Sequence, residues 1–151
     1  MAQILKPPTP LPKPFGLPSV FLAGSIDMGQ AATWQRDVEQ LLDAHEILIL
    51  NPRRDDWDAS WQQDRSNPQF VAQVEWELDA LARADRILMY FAPGSLAPIT
   101  LLELGLFASS GKVVVCCPLG YWRKGNIDII CEHHRIPQAS NLAELCSYAP
   151  R

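Results

Sequence analysis

Short apolar runs alternate along the chain with segments whose apolar residues recur at helical spacing. The runs typical of buried strands lie at 19–23, 46–50, 86–91 and 112–116, with a short fifth candidate at 135–137. The helical segments lie at 30–44, 67–84, 99–110, 126–134 and 140–148. Strands that alternate with helices predict an α/β fold, in which a parallel sheet carries helices on both faces.

The order of the strands follows from the handedness of the crossovers. Right-handed crossovers wind such a chain into a doubly wound domain, for which a five-stranded sheet of order 2-1-3-4-5 is expected. In that order the first and third strands are neighbours. The loops at 24–29 and 92–98 then face one cleft at the carboxyl edge of the sheet, where open α/β sheets bind ligands.

The first 18 residues differ from the rest, because six of them are proline. Proline at this density favours an extended arm over helix or sheet. We expect a disordered or surface-draped tail, the alternative being an arm that packs on a neighbouring subunit. Residues 19–151 form the domain proper, and the polar loop at 53–66 has the length of a lid or binding loop.

Composition excludes several classes of function. The chain has 151 residues, 48% of them hydrophobic and 20% charged, and its net charge of −4 argues against binding a nucleic-acid polymer. No run is long enough to span a membrane, and no signal-peptide core is present. The four cysteines indicate reduced core thiols of a cytoplasmic protein. Cys131, His133 and His134 do not have the spacing of a zinc site, so no metal is expected.

One acid stands out in the stretch 92–111. Glu103 lies early in an otherwise apolar helix, and a buried charge must be paired or face a cleft. The helix dipole near the N-terminus should favour its ionised form. An ionised carboxylate among apolar neighbours suits nucleophilic attack on an anomeric carbon. The alternative is an acid that caps the helix or forms a salt bridge.

Other side chains could complete such a site. Glu77, on the preceding helix, could protonate a leaving group, although it could equally lie on a solvated helix face. Arg53 could hold a phosphate or a carboxylate, or lie at the surface. Tyr121 could stack on a base, or cover the sheet edge. The sequence contains no P-loop, GxGxxG, GxSxG or HExxH motif.

Several of these elements together resemble the nucleoside 2-deoxyribosyltransferase superfamily. They are Phe-Leu-Ala-Gly-Ser-Ile at 21–26, Trp-Glu-Leu-x-x-Leu-x-x-Ala-Asp at 76–85 and Ser-Leu-x-x-x-x-x-x-Glu-Leu-Gly at 95–105. Asn-Pro-Arg-Arg at 51–54 and Gly-Lys-Val-Val-Val at 111–115 resemble a divergent bacterial, deoxyribosyltransferase-like branch. The similarity covers nearly all of the chain from residue 19 onwards.

The resemblance implies a flavodoxin-like fold and no cofactor. It implies that Glu103 attacks C1′ of a 2′-deoxynucleoside to form a covalent deoxyribosyl-enzyme, and that Glu77 binds and protonates the base. It further implies a homo-oligomer that completes its sites across an interface. The substrate-binding candidates are Gly24 and Ser25 at the sugar, Ser95 at a phosphate, and Asp27, Asn51, Arg53 and Tyr121.

The chain also departs from the family pattern. Phe21 stands where the family has a tyrosine that steadies the nucleophile, and Ala97 stands where transferases often have an aspartate. Asp27, Tyr90 or Tyr121 could substitute. The alternatives are a non-catalytic nucleotide-binding or sensor domain and a protein-interaction module that uses the proline-rich arm. The sequence leaves transferase and hydrolase activity equally open.

Overall fold

A computed structural model describes residues 1–25, 33–54, 60 and 62–151. The strands in this part of the chain are β1 (Gln3–Leu5), β2 (Ser19–Gly24), β3 (Leu48–Leu50), β4 (Arg86–Tyr90) and β5 (Val113–Cys116). They form one parallel sheet in the order β1-β3-β2-β4-β5. The order matches the flavodoxin-like pattern, so the predicted fold class is confirmed.

Five helices cover the two faces of this sheet. They are α1 (Trp34–Leu42), α2 (Pro68–Arg83), α3 (Pro98–Phe107), α4 (Lys124–His134) and α5 (Leu142–Cys146). Helices α2, α3 and α4 pack on one face through residues such as Trp76, Leu104 and Ile127. Helices α1 and α5 pack on the other face through Trp34 and Leu145. The two cores make the domain doubly wound, as the alternation predicted.

Local sequence determines where α2 begins. The Asn67 side chain accepts a hydrogen bond from the backbone N–H of Gln69 at 3.0 Å, and Pro68 occupies the first helical position, where its missing N–H costs nothing. The predicted start of this helix is therefore confirmed. The predicted start of the first helix, at residue 30, lies outside the described residues.

The edge strand β1 was not predicted. It pairs with β3 along Gln3–Leu5, and the backbone N–H of Gln3 donates to Ile47. Three residues are too few to show a period, and the prolines that follow favour loop over strand. Its formation depends on the open edge of β3, which is a tertiary feature.

The proline-rich segment packs along α2. The indole Nε1 of Trp76 donates to the backbone oxygen of Thr9 at 2.9 Å. The guanidinium of Arg83 lies 4.0 Å from the centre of the Phe15 ring and also donates to the backbone oxygen of Pro12. The segment therefore covers part of the core that α2 leaves open.

The predicted strand at 135–137 is wrong. Helix α4 ends at His134, and the next residue, Arg135, has the left-handed φ of 57°. This conformation is not extended, so no strand begins there. Gln138 then forms an isolated parallel bridge with Val115, and α5 packs on the sheet beyond it.

The four cysteines are buried and form no disulfide. Burial raises the pKa of each thiol, which makes the thiols unreactive. Within the described residues, no helix is long and apolar enough to cross a membrane, and no cluster of His, Cys, Asp or Glu is placed to hold a metal ion.

Candidate active site

Two acids from neighbouring helices lie close enough to interact. Glu103 lies in the second turn of α3, where most of its neighbours in the helix are apolar. It is an acid, yet it is only 7% exposed. Glu77 lies on α2 and is partly buried. The charge of Glu77 acts on Glu103, so the structure brings the two predicted acids together. In the described part of the chain no ion pair involves Glu103, which argues against the salt-bridged alternative.

Burial raises the pKa of both acids above the usual range of a glutamate. It raises the pKa of Glu103 to about 8, and the charge of Glu77 adds to this effect. Burial likewise raises the pKa of Glu77 to about 7, and a hydrogen bond from Gln73 opposes the rise. The expectation that the helix dipole keeps Glu103 ionised is wrong, because desolvation and a like charge outweigh the dipole. The pair therefore shares a proton near neutral pH.

Gln73 links this pair to the end of β3, and the sequence analysis missed it. Its Nε2 donates to the backbone oxygen of Pro52 at 3.0 Å. Its Oε1 is buried and has no hydrogen-bond partner among the described residues. Since Gln73 lies four residues before Glu77 on α2, the i,i+4 spacing was the signal that could have found it.

The two predicted serines meet where the loops after β2 and β4 come together. The Oγ atoms of Ser25 and Ser95 are 2.6 Å apart, and both side chains are buried. Ser95 Oγ donates to the backbone oxygen of Ala92 at 2.7 Å, so its proton is used there. Ser25 must then donate to Ser95, while it accepts from the Ala92 N–H at 3.0 Å. Both hydroxyl protons are thus committed within the loops.

Close packing leaves no room for a side chain at Gly24. A Cβ at this position would lie 2.4 Å from Cζ2 of Trp34 and 2.5 Å from the backbone oxygen of Tyr90. The indole Nε1 of Trp34 donates to the backbone oxygen of Ser25 at 3.1 Å. Trp34 therefore holds the Gly-Ser turn from the α1 side, and only glycine leaves room for it.

A family model described as nucleoside 2-deoxyribosyltransferase like matches residues 17–121, which is more than half of the chain. The chain belongs to this family. A search of curated proteins finds no match. The matched segment begins two residues before β2 and ends at Tyr121, so it contains both acids, both serines and the Asn-Pro-Arg-Arg element.

The Asn-Pro-Arg-Arg element forms a turn after β3 that side-chain hydrogen bonds hold in place. Asn51 is buried, its Nδ2 donates to Glu39 at 2.7 Å, and its Oδ1 accepts from the backbone N–H of Arg53 at 3.0 Å. Arg53 Nη1 donates to Gln35 at 3.1 Å. Gln35 is a second residue that the sequence analysis missed, and no spacing signal pointed to it. This turn holds residue 52 in reach of Gln73.

Phe21 lacks a hydroxyl, and the residues that could supply a polar group in its place lie in different surroundings. Phe21 is fully buried in the core beneath α2 and α3. The hydroxyl of Tyr121 donates to the backbone oxygen of Leu96 at 2.7 Å, which ties down the loop before α3. Tyr90 packs against Trp34 on the opposite face from Glu103, so it cannot steady that acid. Asp27 lies outside the described residues.

Ala97, in the loop before α3, has a backbone conformation that alanine rarely adopts. It precedes α3 in the left-handed conformation, with φ of 48° and ψ of 51°, and its side chain is buried. Asparagine, aspartate and glycine adopt this conformation more readily than alanine. The helix consequently begins without a side-chain cap.

Proposed function

We propose that this protein cleaves the N-glycosidic bond of 2′-deoxynucleosides or their monophosphates, with Glu103 as the nucleophile and Glu77 as the acid. The observation that carries this proposal is the coupled pair of buried acids with raised pKa values. Groups with strongly shifted pKa values cluster at functional sites. The family membership supports a nucleoside as the substrate.

In the first step an oxygen of the Glu103 carboxylate bonds to C1′, and the bond from C1′ to the base nitrogen breaks. The electron pair of that bond goes to the base, which takes the proton from Glu77. In the second step an acceptor attacks C1′ and releases Glu103, while the acceptor's proton passes to Glu77. A free base as acceptor gives transfer, and water gives hydrolysis.

The proposed reaction needs one carboxylate and one carboxylic acid in the same state. Two acids with pKa values of about 7 and about 8 hold about one proton between them in that range, which meets this need. Glu103 has the higher pKa, so in the free protein the proton lies mainly on Glu103, and the proposal requires that substrate binding moves the proton to Glu77 and leaves Glu103 ionised for attack.

The other site residues have supporting roles in this proposal. Ser25, Ser95 and Asn51 shape the loops around the substrate, since their polar atoms already bond within the protein. Gly24 lines the sugar side, Arg53 and Asp27 contact the substrate, and Tyr121 positions the loop before α3. We further propose that the protein acts without a cofactor and as a homo-oligomer.

A second function is favoured by one observation. Phe21 and Ala97 bring no polar group to the positions where the family has a tyrosine and an aspartate. A nucleotide-binding or sensor domain would tolerate these losses, whereas an enzyme must compensate for them.

A turnover assay separates the two functions. The purified full chain is incubated with a panel of 2′-deoxynucleosides and their monophosphates, with and without a second free base, and released and exchanged bases are followed by chromatography. We expect turnover that falls by at least about 10⁴-fold in Glu103→Gln, because the nucleophile is lost. Glu75→Gln, an exposed acid of α2, is the control and should keep full activity.

Dependence on the added base would distinguish a transferase from a hydrolase. The absence of turnover across the panel, in a folded protein that still binds a nucleotide, would contradict the enzyme proposal and favour the sensor. Turnover that persists unchanged in Glu103→Gln would contradict the assignment of the nucleophile.

A further inference from the structure

The side-chain amide of Gln73 is held in one orientation beside the acid pair. Its Nε2 donates to the backbone oxygen of Pro52 at 3.0 Å. Gln73 also gives a hydrogen bond that favours the ionised form of Glu77, four residues further along α2. Nitrogen is the only donor of a glutamine side chain, so both of its protons are engaged. The opposite orientation would set the amide oxygen against two acceptors, and the orientation is therefore fixed.

This orientation leaves the Oε1 atom of Gln73 without a donor. Oε1 is buried, no described residue donates to it, and the whole residue is only 7% exposed. A buried acceptor without a donor costs free energy. A ligand that brings an N–H group to Oε1 removes this cost and displaces no other partner. Gln73 therefore offers an acceptor to a ligand, one helical turn from the acid of the pair.

The turn that anchors this amide is itself held in place. Pro52 follows β3 at the carboxyl edge of the sheet, where open α/β sheets bind ligands. Asn51 accepts from the backbone N–H of Arg53 at 3.0 Å and donates to Glu39 at 2.7 Å, which fixes the residues on both sides of Pro52. Because its anchor is rigid, Gln73 discriminates strongly, since it does not turn away from a ligand that fits poorly.

We propose that Gln73 selects a base that carries an amino group next to the ring nitrogen that takes the proton from Glu77. This inference rests on the proposed function and names its substrate class, which is the 2′-deoxynucleosides of adenine and cytosine or their monophosphates. Protonated Glu77 still accepts from Gln73 through its carbonyl oxygen, so its O–H group points to the ring nitrogen. Oε1 of Gln73 then accepts from the amino group.

The edges of the bases explain the discrimination. Adenine presents the acceptor N7 beside its amino group, and cytosine presents the acceptor N3 beside its amino group. Both edges match one O–H donor and one acceptor that lie side by side. Guanine and hypoxanthine present O6 beside N7, so two acceptors would meet at Oε1. In thymine and uracil N3 already carries a proton, which leaves Glu77 no ring nitrogen to protonate.

Calorimetric titration of the full chain with 9-methyladenine and 9-methylhypoxanthine tests the proposal. The methyl group takes the place of the sugar and keeps N7 an acceptor, and at pH 6 Glu77 holds its proton because its pKa is about 7. We expect the wild type to bind the adenine at least about 10-fold more tightly, since a hydrogen bond is gained in one case and two acceptors meet in the other. Equal affinities, or no binding of either base by the folded protein, would overturn the proposal.

Gln73→Met removes the acceptor and keeps the length of the side chain, so it should make the two affinities nearly equal. Gln69→Met, the same change at an exposed position on the first turn of α2, is the matched control and should keep the preference. A residue that only ties α2 to the turn after β3 would use its donor alone and would not distinguish the two bases. An unchanged preference in folded Gln73→Met would therefore overturn the role of Gln73.

The comparison of the two bases in the wild type needs no variant, so it decides the matter even where Gln73→Met fails to fold. The ratio of kcat/KM for 2′-deoxyadenosine and 2′-deoxyinosine should show the same preference. Because binding needs no bond cleavage, a preference for the adenine without turnover would contradict only the proposed reaction. Equal turnover of the two nucleosides would contradict only the role of Gln73.

Discussion

Two pairs of buried polar side chains near the candidate site differ in how well their polar groups are satisfied. The Ser25–Ser95 pair is fully satisfied, since each hydroxyl proton has an acceptor within the two loops. The Glu77–Glu103 pair remains unfavourable when ionised, since burial raises the pKa of both acids, the charge of Glu77 raises that of Glu103 further, and the hydrogen bond from Gln73 to Glu77 offsets only part of this effect.

The serine pair therefore contributes to stability, whereas the acid pair provides reactive groups. Satisfied buried groups stabilise a fold, whereas buried acids that repel each other cost stability and gain reactivity. We therefore expect the serine pair to matter to folding at every pH and the acid pair to reduce stability at neutral and higher pH. Proteins commonly tolerate such a cost at functional sites.

The largest effect on stability should come from Glu103→Gln. In the unfolded chain Glu103 ionises with a pKa near 4.5, and in the folded protein with a pKa of about 8. Between these values the folded protein holds a proton that the unfolded chain has lost, so wild-type stability falls as pH rises. Urea unfolding at pH 5 and pH 8 should show a loss of stability to which Glu103 contributes roughly 3 kcal/mol. Glu103→Gln should lack this part and keep the smaller part that comes from Glu77.

The control for this measurement is Glu75→Gln, since Glu75 is exposed on the same helix as Glu77. It should follow the wild type at both pH values. Equal pH dependence in the wild type and in Glu103→Gln would show that Glu103 is already ionised at neutral pH.

A smaller effect, independent of pH, is expected of Ser25→Ala. The change removes the acceptor of the Ala92 N–H in a fully buried place and takes a donor from Ser95. Denaturant unfolding should show a loss of about 2 kcal/mol at both pH 5 and pH 8. Ser147→Ala, an exposed serine on a helix end, should change stability by less than about 0.5 kcal/mol. A loss confined to one pH would contradict the proposed hydrogen-bond network.

The contrast between the pairs also shows what the sequence could predict. The strands around β2, β4 and β5 follow from apolar runs, and the start of α2 follows from Asn67 and Pro68, because these signals are local. The edge strand β1 and the single bridge at Gln138 depend on which sheet edges stay open. Such edges are known only once the sheet is assembled.

The same limit applies to the site. The sequence could predict that Glu77 and Glu103 belong to the candidate site and that each lies on a helix. It could not predict that their pKa values are raised. The helix dipole is a local effect, but desolvation and the approach of α2 to α3 arise from packing. Gln73 and Gln35 were missed because their partners, Pro52 and Arg53, lie on another element.

The smallest effect should come from Gln73→Met, which removes the hydrogen bond that lowers the pKa of Glu77. The variant also removes a buried oxygen that has no partner in the described residues, but it leaves the backbone oxygen of Pro52 without its donor, so stability should fall by about 1 kcal/mol. A carboxyl-carbon NMR titration should place the pKa of Glu77 above its wild-type value. Gln69→Met, exposed on the first turn of α2, should leave that titration unchanged. An unchanged pKa in Gln73→Met would mean that Gln73 does not contact the ionised acid.

The central claim is that Glu103 forms a bond to the sugar, and mass spectrometry of the quenched enzyme tests it most directly. The full chain is mixed with a 2′-deoxynucleoside, or with a 2′-fluoro analogue that slows breakdown of the intermediate, without an acceptor base. The account predicts a deoxyribosyl group on the peptide that contains Glu103, and none in Glu103→Gln. Turnover accompanied by an adduct on another residue, or by an adduct that survives in Glu103→Gln, would contradict it.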